Sequence, residues 1–117
     1  ASGQITVRLD SMAAASELAR RIRRNPPREF AGVAVERAQD LLEPGAAPVP
    51  ADVLRYDLAG GSRVMIRPSG TEPKLKIYLD TFSDEGSAAE RKGSAQEALR
   101  RIESAVDEYL DRARAEG

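Results

Sequence analysis

Hydrophobic residues fall on two rhythms along this chain, and the change of rhythm divides it into elements. Across residues 4–9 the apolar Ile5, Val7 and Leu9 alternate with Thr6 and Arg8, the two-residue period of a strand buried on one side. From Met12 the spacing becomes three and four. Met12, Ala15, Ala19 and Ile22 form a stripe with Leu18 at its edge, which predicts an amphipathic helix. Asp10 or Ser11 can cap that helix by accepting from its first free amides. Arg20, Arg21, Arg23 and Arg24 crowd its last turn, where positive charge complements the helix dipole. Asn25-Pro26-Pro27 stops it, because proline disfavours helical geometry at the residue before it.

Beyond the prolines, Phe30, Val33 and Val35 suggest a strand around residues 32–36, while Ala38, Leu41 and Leu42 fit either a strand or a helix. Four residues of segment 43–52 are Pro44, Gly45, Pro48 and Pro50, which makes it a loop. Residues 53–58 and 63–67 read as strands around a Gly60-Gly61 turn, with Val64 and Ile66 on one face of the second. Residues 68–73 are a loop. Residues 74–82 form another strand, with Leu75, Ile77 and Leu79 alternating against Lys74, Lys76 and Tyr78. Asp84, Glu85 and Gly86 break the chain before a long final helix. That helix offers two capping boxes, Ser87 with Glu90 and Ser94 with Glu97. Its apolar face is Ala95, Ala98, Leu99, Ile102, Val106, Tyr109, Leu110 and Ala113. The order β-α-β-β-β-β-α implies an α+β fold: an antiparallel β-sheet with two helices packed on one face. Residues 1–10 supply a linker and the first strand, and residues 11–117 the single domain.

Composition narrows the chemistry. The 117 residues carry 41% hydrophobic and 32% charged side chains with a net charge of −1, enough for one modest core in a soluble domain. There is no Cys, hence no disulfide, thiolate nucleophile or Cys-based zinc site. There is no His, the commonest general base and transition-metal ligand. Aromatics are 4% and the charge is near neutral, which argues against nucleic acid and membrane as partners. The arginines of segment 20–28 already suit a helix end and have no interleaved aromatics. Tyr56, Tyr78 and Tyr109 read as half-buried packing residues with wet hydroxyls, and Tyr78 shares a face with Lys74 and Lys76. With no apolar run of about 20 residues and no signal-peptide core, the expected location is cytoplasmic.

One stretch is not explained by core packing: Arg67-Pro68-Ser69-Gly70-Thr71-Glu72-Pro73-Lys74-Leu75-Lys76. It collects what an oxyanion needs. Arg67 offers a planar fork of donors for two phosphate oxygens. Ser69 and Thr71 add hydroxyls, and Gly70 lets backbone amides approach closely, as in an anion nest. Lys74 and Lys76 share one face of the next strand. Pro68 and Pro73 restrict the loop and so lower the entropy lost on gripping a ligand. Glu72 faces away, pairs with a neighbouring cation, or accepts from a sugar hydroxyl. The competing account is a polar inter-strand loop whose prolines and glycine only satisfy turn geometry. The Walker pattern is missing, so nucleotide hydrolysis is not indicated.

The run from Arg67 to Lys74 resembles the C-terminal signature of the α-D-phosphohexomutases, the superfamily of phosphoglucomutase and phosphomannomutase. Its setting agrees: a strand ending in Arg, a loop, a strand and a closing helix. The resemblance implies the fourth and last domain of such an enzyme, with a TATA-box-binding-protein-like α+β fold. It implies a substrate-phosphate site made of Arg67, Ser69, Gly70, Thr71 and Lys76, with Pro68, Glu72 and Lys74 as secondary candidates. It also implies a sugar phosphomutase acting through a phosphoserine, Mg2+ held by aspartates and a sugar bisphosphate. No Asp-x-Asp-x-Asp run occurs in the chain, and no Ser sits in the active-serine context. The expectation is therefore a fragment that is inactive alone, binds no cofactor itself and works with a phosphosugar and the upstream domains of its polypeptide. The alternative from another class is a stand-alone protein-interaction module with a TATA-binding-like or ferredoxin-like fold.

Overall fold

The computed structural model describes residues 1–83 and 86–115. Along them run β1 (Ser2–Arg8), α1 (Met12–Arg24), β2 (Glu29–Phe30), β3 (Val33–Asp40), β4 (Leu54–Leu58), β5 (Arg63–Pro68), β6 (Lys74–Asp80) and α2 (Ala88–Ala115). The strands form one antiparallel sheet in the order β1-β6-β5-β4-β3-β2. Each strand from β2 to β6 lies beside its successor, as hairpins dictate. The β1–β6 pairing instead joins the first and last strands of the chain, from Ser2 opposite Asp80 to Arg8 opposite Lys74.

Both helices cover one face. A single cluster joins Leu18, Ala19 and Ile22 of α1 and Ile102, Val106, Leu110 and Ala113 of α2 to the inward positions of the strands, among them Tyr56, Val64, Ile66, Leu75 and Ile77. Ile5, Val7 and Leu9 pack against its β1 side. The α+β arrangement expected from the element order is therefore present. The opposite face of the sheet carries the exposed Thr6, Arg8, Arg63, Arg67 and Tyr78.

Local chemistry sets the element ends. Ser11, not Asp10, caps α1, its hydroxyl accepting from the Ala14 amide at 3.0 Å. The Asn25 amide donates to the Arg21 carbonyl at 3.0 Å and closes the helix. At the start of α2 the first capping box forms in both directions: the Glu90 amide donates to the Ser87 hydroxyl and the Ser87 amide to the Glu90 carboxylate. The second box, Ser94 with Glu97, lies inside α2 and has no free helix end to serve. The expected break at Asp84 and Glu85 lies outside the described residues.

Several expectations change in detail. The α1 stripe is Ala15, Leu18, Ala19 and Ile22; Met12 points outward, because the stripe drifts round the helix before the first turn is reached. Six strands form where five were expected. The extra one, β2, is too short to show alternation, and Ala31 and Gly32, with φ of 53° and 76°, make the tight left-handed bend that returns it into β3. That third strand runs on to Asp40 through an irregularity between Val35 and Arg37, which breaks the two-residue period and hides Ala38 as a strand residue. The final strand stops at Asp80, leaving Phe82 exposed, while β5 runs one residue further than expected, to Pro68. Tyr56 is fully buried rather than half-wet, and its hydroxyl has no hydrogen-bond partner among the described residues.

Loop 43–52 is anchored rather than free. Arg23 of α1 sits between Asp40 at 2.6 Å and Asp52 at 2.7 Å, tying both ends of the excursion to the helix. Thr81, buried beyond β6, donates to the Ala95 carbonyl at 2.6 Å and fixes α2 against the sheet.

Candidate functional site

The β5–β6 hairpin brings the chemically loaded residues to one end of the open sheet face. The Ser69 amide donates to the Lys74 carbonyl at 2.9 Å and closes the hairpin around residues 70–73. Pro68 opposes Leu75 as the last ladder pair of β5, a position where a missing N–H is tolerated. The Leu9 amide donates to the Pro73 carbonyl at 2.7 Å, so the end of β1 is held against the loop as well.

Strand register then generates two parallel rows on the exposed face. Thr6, Lys76 and Arg67 stand side by side across β1, β6 and β5. Arg8, Lys74 and Ser69 form the next row toward the loop. Residues paired across antiparallel strands have Cβ atoms about 5 Å apart and point to the same side, so these groups converge. Arg67, Ser69 and Lys76 are thus on one surface, and Gly70 and Thr71 lie in the loop that joins β5 to β6. Among the described residues neither Arg67, Lys76 nor Arg8 forms an ion pair.

The loop holds its own shape. The Ser69 hydroxyl accepts from the Thr71 and Glu72 amides at 3.4 and 3.3 Å, a serine turn built on long, weak bonds. The Lys74 amide donates to the Glu72 carbonyl at 2.8 Å. That leaves the Gly70 amide without a partner among the described residues, and a side chain at Gly70 would meet nothing within 4 Å. The backbone at position 70 does not adopt positive φ, so the turn itself does not demand glycine there. What glycine provides is an uncovered amide at the loop tip. An oxyanion arriving at this tip meets one free N–H and two that are only loosely engaged.

Glu72 takes the second of its three expected roles. Its carboxylate pairs with the Lys74 ammonium at 3.2 Å. The Lys74 hydrogen bond holds the Glu72 carboxyl below its usual range, helped by the charges of Lys74, Arg8 and Lys76. Lys74, the less exposed of the pair, is neutralised in this way, whereas Arg67 and Lys76 keep their charge for a ligand. Three cations, Lys74, Arg8 and Lys76, act on this one carboxylate, an excess of positive charge that favours an anion. Among the described residues there is no group of three or more acidic side chains that could hold a metal ion. No helix among them is long and apolar enough to cross a membrane.

Residues 13–97 match the family model for the phosphoglucomutase/phosphomannomutase C-terminal domain. The chain belongs to this family. It is also similar to the probable phosphomannomutase of Haemophilus influenzae, with 39% identity over 90 residues, covering 77% of this chain and 18% of that protein. The chain thus spans about a fifth of the length of the curated relative it matches. The family match contains the whole Arg67–Lys76 segment but leaves out β1 and most of α2.

Arg8 is the residue that sequence reasoning missed. Its polar place in the β1 alternation was visible, but nothing local told that β1 pairs with β6, some 65 residues away in the chain, and sets Arg8 opposite Lys74. Tyr78 follows Lys76 on the same face, opposite Met65 and Gln4, one row further from the loop.

Proposed function

We propose that this phosphoglucomutase/phosphomannomutase C-terminal domain grips the phosphate of a phosphosugar that does not take part in transfer. The observation that carries the reading is the β5–β6 loop, which presents Arg67, Ser69, Gly70 and Thr71 beside Lys76, with neither Arg67 nor Lys76 in an ion pair among the described residues. Arg67 supplies two parallel N–H donors to phosphate oxygens, and Lys76 a point charge. The Gly70 amide and the Thr71 hydroxyl complete a set of donors that reads a phosphate, not a particular sugar. Such a clamp suits an enzyme that interconverts sugar 1-phosphate and 6- or 5-phosphate through a bisphosphate, because either phosphate of that intermediate can be held while the other reacts. The phosphoserine, the Mg2+ ion and the residues that choose the sugar belong to the rest of the polypeptide, so the domain alone is inactive. Moving as one unit with β1 held in its sheet, the domain closes over the substrate and excludes water from phosphoryl transfer in the whole enzyme.

Titration of the 117-residue chain with glucose 1-phosphate or inorganic phosphate, followed by amide resonances, tests this. A single clamp buries little of a sugar, so binding is expected near millimolar, about −4 kcal/mol, and ligand must reach tens of millimolar. Shifts should concentrate in residues 67–76 and vanish in Arg67→Ala. Shifts spread evenly over the surface, or unchanged by that substitution, refute the reading. So does interconversion of hexose phosphates by the pure chain, which would contradict its inactivity.

A further inference from the structure

We infer that Arg8, on β1, is a phosphate-binding residue of this site, so that the clamp is built from the first strand as well as from the β5–β6 hairpin. The inference rests on the phosphate-clamp reading and extends it to a strand outside the family match. Arg8 stands directly opposite Lys74, and Lys76, next on the same face, stands opposite Arg67. Like charges in directly opposed strand positions destabilise a sheet. Here two such pairs lie next to each other in adjoining rows.

Elsewhere in the sheet Arg37 stands opposite Asp57, and Arg63 opposite Asp57 and Asp80. Arg55 and Arg63 both reach Asp57, Arg23 bridges Asp40 and Asp52, and Arg20 holds Glu17. Arg8 has no such partner among the described residues. The nearest influence of a carboxylate on it comes from Glu72, which Lys74 already engages at 3.2 Å. Arg8 is exposed, and the Leu9-to-Pro73 hydrogen bond fixes its backbone against the loop. A concentration of unopposed positive charge that costs the sheet stability is relieved when a dianion settles between Arg8, Lys76 and Arg67. The ligand class is a phosphate monoester in its doubly charged form.

The test compares Arg8→Gln, Arg67→Ala and Arg37→Gln in the same titration with glucose 1-phosphate. Arg37 lies on β3, far along the sheet, and its substitution makes the same charge change away from the site. Arg8→Gln should weaken binding about fivefold, the loss of one exposed charge-assisted contact, while Arg37→Gln leaves it unchanged. Arg8→Lys should bind more tightly than Arg8→Gln, and the Arg8 side-chain Nε–Hε resonance should move with phosphate in the unaltered chain. Arg67→Ala reports on the clamp itself. If Arg67→Ala abolishes binding and Arg8→Gln does not weaken it, the role of Arg8 is refuted and the clamp stands. Equal weakening by Arg8→Gln and Arg37→Gln also refutes it, since that is general charge attraction. Absence of phosphate-induced shifts in the unaltered chain overturns both.

Discussion

Removing the Tyr56 hydroxyl should make this domain more stable. Tyr56 is 2% exposed, its ring lies edge-on to Phe30 at 6.4 Å between centroids, and its hydroxyl has no hydrogen-bond partner among the described residues. Burial pushes its ionisation well above the usual tyrosine value, with Tyr109 and Asp40 adding to the effect against Arg23. Withdrawing a hydroxyl from water without a compensating bond costs about 1–3 kcal/mol. Tyr56→Phe keeps the ring and the Phe30 contact, and loses only the dispersion contacts of one oxygen. A net gain of about 1 kcal/mol is expected. Unfolding entropy near 2.1 cal/mol/K per residue gives roughly 0.25 kcal/mol/K for a chain of this size, so Tm should rise by about 4 °C. Urea and thermal unfolding followed by circular dichroism measure both quantities. A lower urea midpoint with unchanged slope would refute the reasoning, because it would mean that the hydroxyl holds a bond the folded chain needs.

Thr81→Val removes a buried donor without changing its shape, while the Ala95 carbonyl stays inside α2, so it should cost about 1 kcal/mol for one lost hydrogen bond, read from the urea midpoint. Glu72→Gln tests the loop's internal charge pair. The folded Glu72 pKa is lowered, so its contribution is fully present above the unfolded value of about 4.3 and is lost as pH falls through the lower folded value. The stability gap between the unaltered chain and Glu72→Gln should therefore hold steady from pH 8 to pH 5 and close below about pH 4; a gap that widens in acid contradicts the assignment.

Much of this protein was legible one residue at a time. Alternation in β1, β5 and β6, the helical spacing of α1 and α2, the Ser11 and Ser87 caps and the halt at Pro26-Pro27 are local, and local propensity and hydrophobic period sufficed for them. The Arg67–Lys74 run was legible too, because its donor groups are neighbours in the chain. Detail failed where the period was interrupted. Two-residue β2 carries no pattern, and the irregularity near Glu36 shifts β3 out of phase.

What the chain by itself determined is its elements, their order and one loop rich in donors. Tertiary structure alone decided which strands became neighbours, since the β1–β6 pairing is chosen by the burial of Ile5, Val7 and Leu9 over a common core and by no short-range signal. That pairing is what lays Arg8 beside Lys74, and the hairpin closure is what turns Glu72 onto the same lysine. Charge on an isolated segment can be counted from its letters. Whether that charge is cancelled or left for a ligand depends on distances that exist only once the sheet has formed.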